Sequence, residues 1–375
     1  MKIFAFGSSI DSCYRDSGAA YYRGCYKYLA RRGHEVVFAE PDAYGRRKRR
    51  DSSGVSYVES LMYRPGRGID AMLRRALLAD VVIKHSGLGV DDELLEQRVL
   101  ECCRQSVLIF WDADPSATII RMKANPRDPF LRAVPRYDAV FTYGGGPESS
   151  SDYLKIGARS CYSIHHGVDS ETHYPVEPDP GLKCDLAFLG NRSPERESRV
   201  DELFFKAAKL APEKDFLLGG EGWEGKEAPM NVRWIGHVPA SEHNRINCSA
   251  GMVINISRSS IAERGYAPPN RIFEAAGAAA CMLSDEWPGL KEFFDPGREI
   301  FVVRSAEDVA AALRSFDRSM RWRAGTAFFA AAMQRHTYGI RARQAEEAIR
   351  RCIADRLSRR NAPRREAGLL ARGAA

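Results

Sequence analysis

The stretch MKIFAFGSSIDSCYRDSGAAYYRGCYKYLARRGHEVVFAEP, residues 1–41, decides the fold class. It begins with a short apolar run that ends at Gly7. A segment with Tyr21, Cys25 and Leu29 at helical spacing follows, and a second apolar run, HEVVFAE, comes next. The order strand, helix, strand predicts a β-α-β unit. Such a unit implies a parallel sheet whose ligands bind beyond the carboxyl ends of its strands.

The same alternation continues along the chain. Further strands of a first series are predicted at ADVVIKH, SVLIFWDAD, YDAVFTYGGGP and ARSCYSIHHGVD. A proline-rich stretch near residues 175–181 then interrupts the pattern. A second series follows, with strands predicted at CDLAFLGN, DFLLGG, VRWIGHV, GMVINISRS, ACMLSDE and EIFVVRS. Two consecutive α/β series of similar size predict two doubly wound domains that face a cleft.

Composition is that of a globular protein, with 44% hydrophobic and 28% charged residues among 375. No apolar run is long enough to span a bilayer. The apolar run at residues 3–6 is too short for a secretory signal. The 9 cysteines include no C-x-x-C pair. We therefore expect free thiols in the cytoplasm, no transmembrane segment and no structural zinc site.

The net charge of +7 is concentrated in two places. Residues 354–375 hold six arginines against two acidic residues, which leaves the rest of the chain near +3. The run RRKRR, residues 46–50, is the second basic block. We expect both to be solvated segments. No aromatic-interleaved basic stripe accompanies them, so a nucleic-acid partner is not expected.

Several segments together resemble a known group of enzymes. They are YYRGCYKYLARRGHEVVFAEPD, IFWDADPS, YDAVFTYGGGP, CDLAFLGN, VINISR and GYAPPNRIFEAAGAAACMLSDEWPGLKEFFDPGREI. The chain resembles the GT-B glycosyltransferases and, more closely, the CgeB (spore maturation protein) family of glycosyltransferase-like proteins. The resemblance implies an α/β GT-B fold of two Rossmann-like domains. It also implies transfer of a sugar from a nucleotide sugar to an acceptor, which is an unknown glycan, surface polysaccharide or small molecule. No cofactor is implied, and a metal is not favoured.

The resemblance also divides the chain. An acceptor-side Rossmann-like domain is predicted at residues 1–170, and a hinge or linker at 171–183. A donor domain follows at 184–335. A C-terminal helix at 336–357 is expected to cross back to the first domain, ahead of a basic disordered tail at 358–375. Gly167 and Asp169, in the sequence HHGVD, are interpreted as hinge residues.

The stretch PPNRIFEAAG, residues 268–277, is the main donor-site candidate. Asn270 is a plausible N-cap, which leaves Arg271 and Glu274 on one face of the first turn. Arg271 would bind a phosphate at the helix N-terminus. The resemblance implies that Glu274 lies against the ribose, although the paired glutamate of the larger group is missing at the usual spacing. The alternative is a surface Arg–Glu ion pair.

Other donor-binding candidates follow predicted strands of the second series, where a β-α turn or a strand end would face the cleft. The competing interpretations are ordinary turns, strand-end hydrogen bonds and caps. Arg258 is expected to stabilise the leaving diphosphate, and His237 to line the base pocket. The complete set is Gly190, Asn191, Arg192, Ser257, Arg258 and His237.

In the first series, glycine and serine loops after strands are expected to let the acceptor or the diphosphate approach the backbone. These cleft loops are Gly7, Ser8 and Ser9, and Gly144 and Gly145.

Asp112 and His85, each at a strand end, are the catalytic candidates, as general base or acceptor contact. Asp112 and Asp114 alternatively form an Asp-x-Asp pair that holds a divalent metal, or cap a helix. Two rival functions stay open: a metal-dependent transferase that uses this pair, and a GT-B-shaped binding or assembly protein without catalysis.

Overall fold

The computed structural model describes residues 1–12, 18–49 and 55–361. Two parallel sheets with helices between successive strands make up the molecule. The strands are β1 (Lys2–Phe6), β2 (Glu35–Pro41), β3 (Glu59–Tyr63), β4 (Val81–His85), β5 (Val107–Asp112), β6 (Ala139–Thr142), β7 (Cys161–Ser163), β8 (Cys184–Leu189), β9 (Phe216–Gly219), β10 (Val232–Trp234), β11 (Ala250–Asn255), β12 (Met282–Ser284) and β13 (Phe301–Val302).

The helices alternate with these strands, and a π-helical turn at Asp201–Lys206 joins the seventh and eighth. They are α1 (Gly18–Arg31), α2 (Ile69–Ala76), α3 (Asp92–Cys102), α4 (Pro115–Ala124), α5 (Pro129–Ala133), α6 (Gly146–Ile156), α7 (Pro194–Val200), α8 (Ala207–Leu210), α9 (His243–Ser249), α10 (Ser259–Arg264), α11 (Asn270–Gly277), α12 (Leu290–Phe293), α13 (Ala306–Ser315), α14 (Arg318–Arg335) and α15 (Tyr338–Asn361). The sequence analysis predicted neither β3 nor α14.

The strand order confirms the predicted fold class. The first sheet has the order β3-β2-β1-β4-β5-β6-β7, and the second has the order β10-β9-β8-β11-β12-β13. Each order reverses once, between β1 and β4 in the first sheet and between β8 and β11 in the second. A crevice opens at such a reversal beyond the strand ends, and ligands of doubly wound folds bind there. In the second sheet, the loops after Leu189 and after Asn255 border this crevice.

Helix α15 packs on the first sheet although it follows the second in sequence. Its Tyr338 is buried in the same apolar cluster as Tyr21 and Trp111. Gly24 of α1 lies directly against the Tyr338 ring, so a Cβ at this position would overlap the ring. The helix continues to Asn361, which extends ordered structure past the predicted tail start at Ser358. Residues 362–375 lie outside the described residues.

The basic run at residues 46–50 is only partly described, and its first member is not a solvated side chain. Arg46 is buried, and its Nη1 donates to the carbonyl oxygen of Ser8 at 2.7 Å. This corrects the expectation of a fully solvated block. Arg50 lies outside the described residues.

The two halves of the chain meet at the predicted hinge and at a glycine loop. The backbone N–H of Val168 donates to the carbonyl of His336, and the carbonyl of Val168 accepts from the backbone N–H of Tyr338. A Cβ on Gly167 would lie 2.8 Å from the carbonyl oxygen of His336. Close approach of two backbone segments therefore requires glycine at this position.

In the part of the chain that the structure describes, no helix is long and apolar enough to cross a membrane. All described cysteines are free thiols.

The contact between Gly24 and Tyr338 predicts a stability effect. Gly24→Ala forces a methyl group into the tyrosine ring, and we expect it to lower the free energy of unfolding by about 1–3 kcal/mol, as overpacking does. Urea unfolding measures this. Adding Tyr338→Leu should recover part of the loss. An unchanged midpoint for Gly24→Ala would show that α1 and α15 are not held in this contact.

Candidate functional site

Helix α11 begins one residue earlier than the predicted N-cap at Asn270 implied. Pro269 is the N-cap, and Asn270 is the first helical residue. The side chain of Asn270 does not cap the helix; its Nδ2 donates to Oε1 of Glu274. The prolines before the helix fix where it starts, and its small residues pack into the core.

Glu274 is buried, and its ion-pair partner is not the arginine on the same helix. Its Oε2 lies 2.9 Å from Nδ1 of His243, at the start of α9. Nε2 of His173 lies 3.9 Å from its other oxygen. Burial alone would raise the pKa of Glu274, but His243, His173 and Arg271 outweigh it and lower that pKa to about 2. The alternative of an Arg271–Glu274 ion pair on an exposed helix end is therefore wrong.

Arg271 instead extends toward the turn after β8. Its guanidinium carbon lies 5.3 Å from the centre of the Phe188 ring, in a cation–π contact. A Cβ placed on Gly190 would lie 3.0 Å from Nη2 of Arg271 and 2.7 Å from Nη1 of Arg196. The absence of a side chain at Gly190 thus lets two guanidinium groups approach the same turn.

These two arginines have unsatisfied donors. Among the described residues, neither Nη1 of Arg271 nor Nε of Arg196 has a hydrogen-bond partner, and both atoms are buried. Burial and then the charge of Arg196 lower the pKa of Arg271 to about 9. Burial and then the charge of Arg258 lower the pKa of Arg196 to about 10. Both remain cationic at neutral pH, so the turn carries positive charge that repels itself.

Arg258 and Ser257 follow β11, on the other side of the same crevice. Asp285, after β12, accepts from the backbone N–H and from the hydroxyl of Ser257, at 2.8 and 3.1 Å. Asp285 also accepts from Nη2 of Arg199 at 2.6 Å. The carboxylate of Asp285 is thus shared with Arg199, and Arg196, Arg258 and Arg271 form no ion pair with it. These three residues leave a positive charge at the turn. We call these three residues the arginine cluster.

Three other donor-site candidates lie beside the turn without joining the cluster. The side chain of Asn191 accepts from the backbone N–H of Glu221 at 3.0 Å, and Arg192 pairs with Glu197. His237 has a side chain that is 65% exposed. The turn lies where it was predicted. The cation that approaches Gly190 is Arg196, in the first turn of α7, and not Arg192.

The cleft loops of the first sheet are held by contacts within the protein. Gly7 lies against the Phe38 ring, and Ser8 and Ser9 are buried. Ser9 accepts from the backbone N–H of Ser12 at 3.1 Å, and Glu40 accepts from Ile10 at 2.6 Å.

The glycine loop after β6 also packs against other residues of the protein. A Cβ on Gly144 would lie 2.6 Å from that of Ala267, and Gly146 lies directly against Tyr266. Gly145 adopts φ 80° as the N-cap of α6. The loop therefore packs against Tyr266 and Ala267 of the second half, and its approach to the acceptor or the diphosphate stays a prediction.

The two catalytic candidates are both buried. Asp112 is 0% exposed and accepts hydrogen bonds from Ser86, Thr118, Tyr153 and the backbone N–H of Asp114. Burial raises its pKa, and these donors oppose the rise. In this conformation its carboxylate does not reach the cleft.

His85 lies among aromatic rings, and its Nε2 is 2.6 Å from the hydroxyl of Tyr26. Burial, together with the charge of Lys84, lowers the pKa of His85 to about 3, so the ring is neutral. Asp114 accepts from the backbone N–H of Ala117 and caps α4, as one interpretation of the Asp-x-Asp pair predicted.

Sequence reasoning missed Arg196, His243 and Asp285. Arg196 carried a usable signal, because it lies shortly after the predicted strand CDLAFLGN and its glycine turn. Asp285 stands at the end of a predicted strand, next to the strand of Ser257. His243 had no local signal, since its partner Glu274 is 31 residues away.

The environment of Asp112 predicts a mainly structural role. Asp112→Asn keeps the shape but loses acceptors, so we expect the free energy of unfolding to fall by about 1–3 kcal/mol. The rate of sugar transfer should stay within about ten-fold, whereas loss of a general base costs about 10²–10⁴-fold. Urea unfolding and turnover measured on the same preparation separate the two. A stable variant with turnover reduced by the larger factor would restore Asp112 as a catalytic residue.

Comparison with known proteins finds one family model and several solved structures that are similar to the chain. Residues 196–347 match the family model described as glycosyl transferase-like, a range that contains the whole arginine cluster and Glu274. No curated protein shows significant sequence similarity to the chain.

Several solved structures share the fold over nearly the full length. Sucrose-phosphate synthase from Thermosynechococcus elongatus has a TM-score of 0.65 and 12% identity, over 95% of this chain and 100% of that chain. Anabaena HepE in complex with UDP and glucose has a TM-score of 0.63 and 14% identity, over 96% and 100%. An alpha-glucosyltransferase in complex with UDP has a TM-score of 0.66 and 12% identity, over 93% and 99%.

The family match supports the predicted class of activity, sugar transfer by a glycosyltransferase. Residues 196–347 are similar to the glycosyl transferase-like family, and the whole chain has the GT-B fold of two Rossmann-like domains.

Proposed function

We propose that this glycosyltransferase takes a nucleoside diphosphate sugar as donor and binds the diphosphate at Gly190, between Arg196 and Arg271. The observation that carries the proposal is the pair of buried guanidinium N–H groups without acceptors among the described residues. Burying such donors unsatisfied costs free energy. A diphosphate supplies the missing acceptors through charge-assisted hydrogen bonds.

The position of the arginine cluster supports a role in the chemical step as well as in binding. It borders the crevice where the strand order of the second sheet reverses. When the bond between the sugar and the diphosphate breaks, negative charge grows on the leaving diphosphate. Arg258 adds a third cation there, and fixed cations stabilise the transition state in proportion to that growing charge.

Glu274 retains the role expected for it toward the ribose. Its two oxygens accept from Asn270 and His243. Each carboxylate oxygen has further acceptor capacity, so a ribose hydroxyl can donate to Glu274 without displacing either partner.

We propose UDP-sugars as the first donors to test, because HepE and the alpha-glucosyltransferase were both solved with UDP. The acceptor would be a glycan, a surface polysaccharide or a small molecule that the N-terminal half holds. The sequence segments quoted above further support the CgeB-like family, and free thiols support a cytoplasmic protein.

The proposed reaction uses no metal ion at Asp112 and Asp114. Asp112 accepts hydrogen bonds from four donors and Asp114 caps a helix, so the pair is engaged within the protein. Transfer should therefore persist in excess chelator. Loss of transfer that manganese restores would favour the metal-dependent alternative.

A binding or assembly protein without catalysis is the second alternative, because neither catalytic candidate reaches the cleft. Incubation with UDP-, GDP- and TDP-sugars, followed by detection of released nucleotide, tests it. Release with any of these donors supports a transferase, whereas tight binding with no release across a range of acceptors favours a binding protein.

Substitutions in the arginine cluster should affect donor binding much more than the stability of the free protein. Arg196→Gln and Arg271→Gln should each weaken UDP-sugar binding by about 10- to 100-fold, the usual cost of a charge-assisted hydrogen bond. The free protein should lose little stability, since each change removes a buried cation without a partner. Thermal unfolding with and without ligand measures both quantities, because bound ligand raises the melting temperature.

Arg314→Gln is the matched control, since Arg314 is exposed and pairs with Glu213 elsewhere in the same half. Its ligand-induced shift should equal that of the wild type. If the Arg196 and Arg271 variants also kept the full shift, the diphosphate would bind elsewhere.

A further inference from the structure

Glu274 of the proposed donor site pairs with His243 and not with Arg271, which is the nearer cation in sequence. Arg271 and Glu274 are three residues apart on α11, a spacing at which opposite charges commonly pair. Here the carboxylate pairs with His243 of α9, and Arg271 turns to Phe188 and Gly190. The histidine therefore takes the partner that Arg271 would otherwise have.

We propose that His243 is a positioning residue for the donor diphosphate, because it holds Glu274 and cancels its charge so that Arg271 stays unpaired for the phosphates. This inference rests on the proposed function. It assigns a role to a residue that contacts neither the sugar nor the phosphates and acts through Glu274.

The contacts around His243 support a cationic imidazole. Its Nδ1 lies 2.9 Å from the carboxylate of Glu274. Burial would lower the pKa of His243, but Glu274 and the backbone at Val238 outweigh it, and the pKa is raised above its ordinary value. A buried carboxylate within hydrogen-bond distance favours the protonated ring, because the charge-assisted hydrogen bond is stronger than a neutral one.

Other charged groups face this pair from each packed element. Arg271, on α11, opposes protonation of His243. His173, from the segment after the hinge, lies 3.9 Å from Glu274, and burial lowers its pKa. His173 is therefore mainly neutral at neutral pH, and His243 is the group whose charge changes as the pH rises.

The sign of the pH effect follows from the charge count. Below the pKa of His243, imidazolium and carboxylate cancel, and the arginine cluster acts on the diphosphate unopposed. Above that pKa the carboxylate is uncompensated. It then attracts Arg271 and repels the diphosphate, so donor affinity falls as the pH rises. The diphosphate of a nucleotide sugar is fully ionised throughout, which leaves the protein as the source of the change.

The experiment compares UDP-glucose affinity at several values from about pH 5.5 to 8, by calorimetry at constant ionic strength. For the wild type we expect binding to weaken about three- to ten-fold with rising pH. His243→Gln keeps a hydrogen-bond donor without a titrating charge. Its affinity should match the weak, high-pH value of the wild type at every pH.

His243→Lys restores a fixed positive charge, so its affinity should be close to the strong, low-pH value of the wild type and independent of pH. This variant also serves if His243→Gln does not fold. His34→Gln is the matched control, because His34 likewise lies near a carboxylate, Glu346 at 3.5 Å, but in the other half of the molecule. Its pH profile should be that of the wild type.

The outcomes are distinct. Wild-type binding that weakens with pH, and flat profiles for both His243 variants, support the inference. Equal pH dependence in the wild type and in the His243 variants overturns the inference and leaves the proposed function intact. No binding of any nucleotide sugar by the wild type at any pH overturns both.

Discussion

All strand pairs in both sheets are parallel, so the chain must return after every strand to the edge from which it started. This constraint gathers the carboxyl ends of all strands in a sheet on one side. Because strands are added first on one side of the starting strand and then on the other, each sheet also has one point where the strand order reverses. The turn after Leu189 and the segment after Asn255 flank that point in the second sheet. The arginine cluster, the glycine that admits it and the shared carboxylate of Asp285 all depend on this arrangement.

The two sheets share a topology but differ in the residues at the point where the strand order reverses. At the reversal point of the first sheet, His85 lies among aromatic rings and the Gly7–Ser9 loop is tied down by Glu40 and Ser12. At the reversal point of the second sheet, two guanidinium groups meet at a glycine and keep unsatisfied donors. Desolvated cations without partners lower the stability of the free protein, and natural proteins tolerate such cost mainly where a ligand relieves it. This contrast, rather than the shared fold, distinguishes the donor side.

Charge compensation links the donor site to residues outside it. Glu274 is neutralised from α9, and Asp285 is shared with Arg199 of α7. These two carboxylates near the cluster are thus engaged by cations that are not expected to touch the ligand. The arginines of the cluster therefore remain available to bind an anion. On helix α11, Arg271 extends toward Phe188 and Gly190, whereas Glu274 extends toward His243 of α9.

The sequence by itself determined the fold class, the position of most strands and the turn at Gly190, because apolar periodicity and glycine position are local signals. It also determined that Arg271 and Glu274 lie at the start of one helix. Only the tertiary structure decided their partners. Residues 31 positions apart, such as His243 and Glu274, meet because two helices pack on one sheet, and no local pattern records that contact. The sequence also did not show that Asp112 and His85 are buried. A polar residue at a strand end faces either a cleft or the core, depending on which elements pack over it.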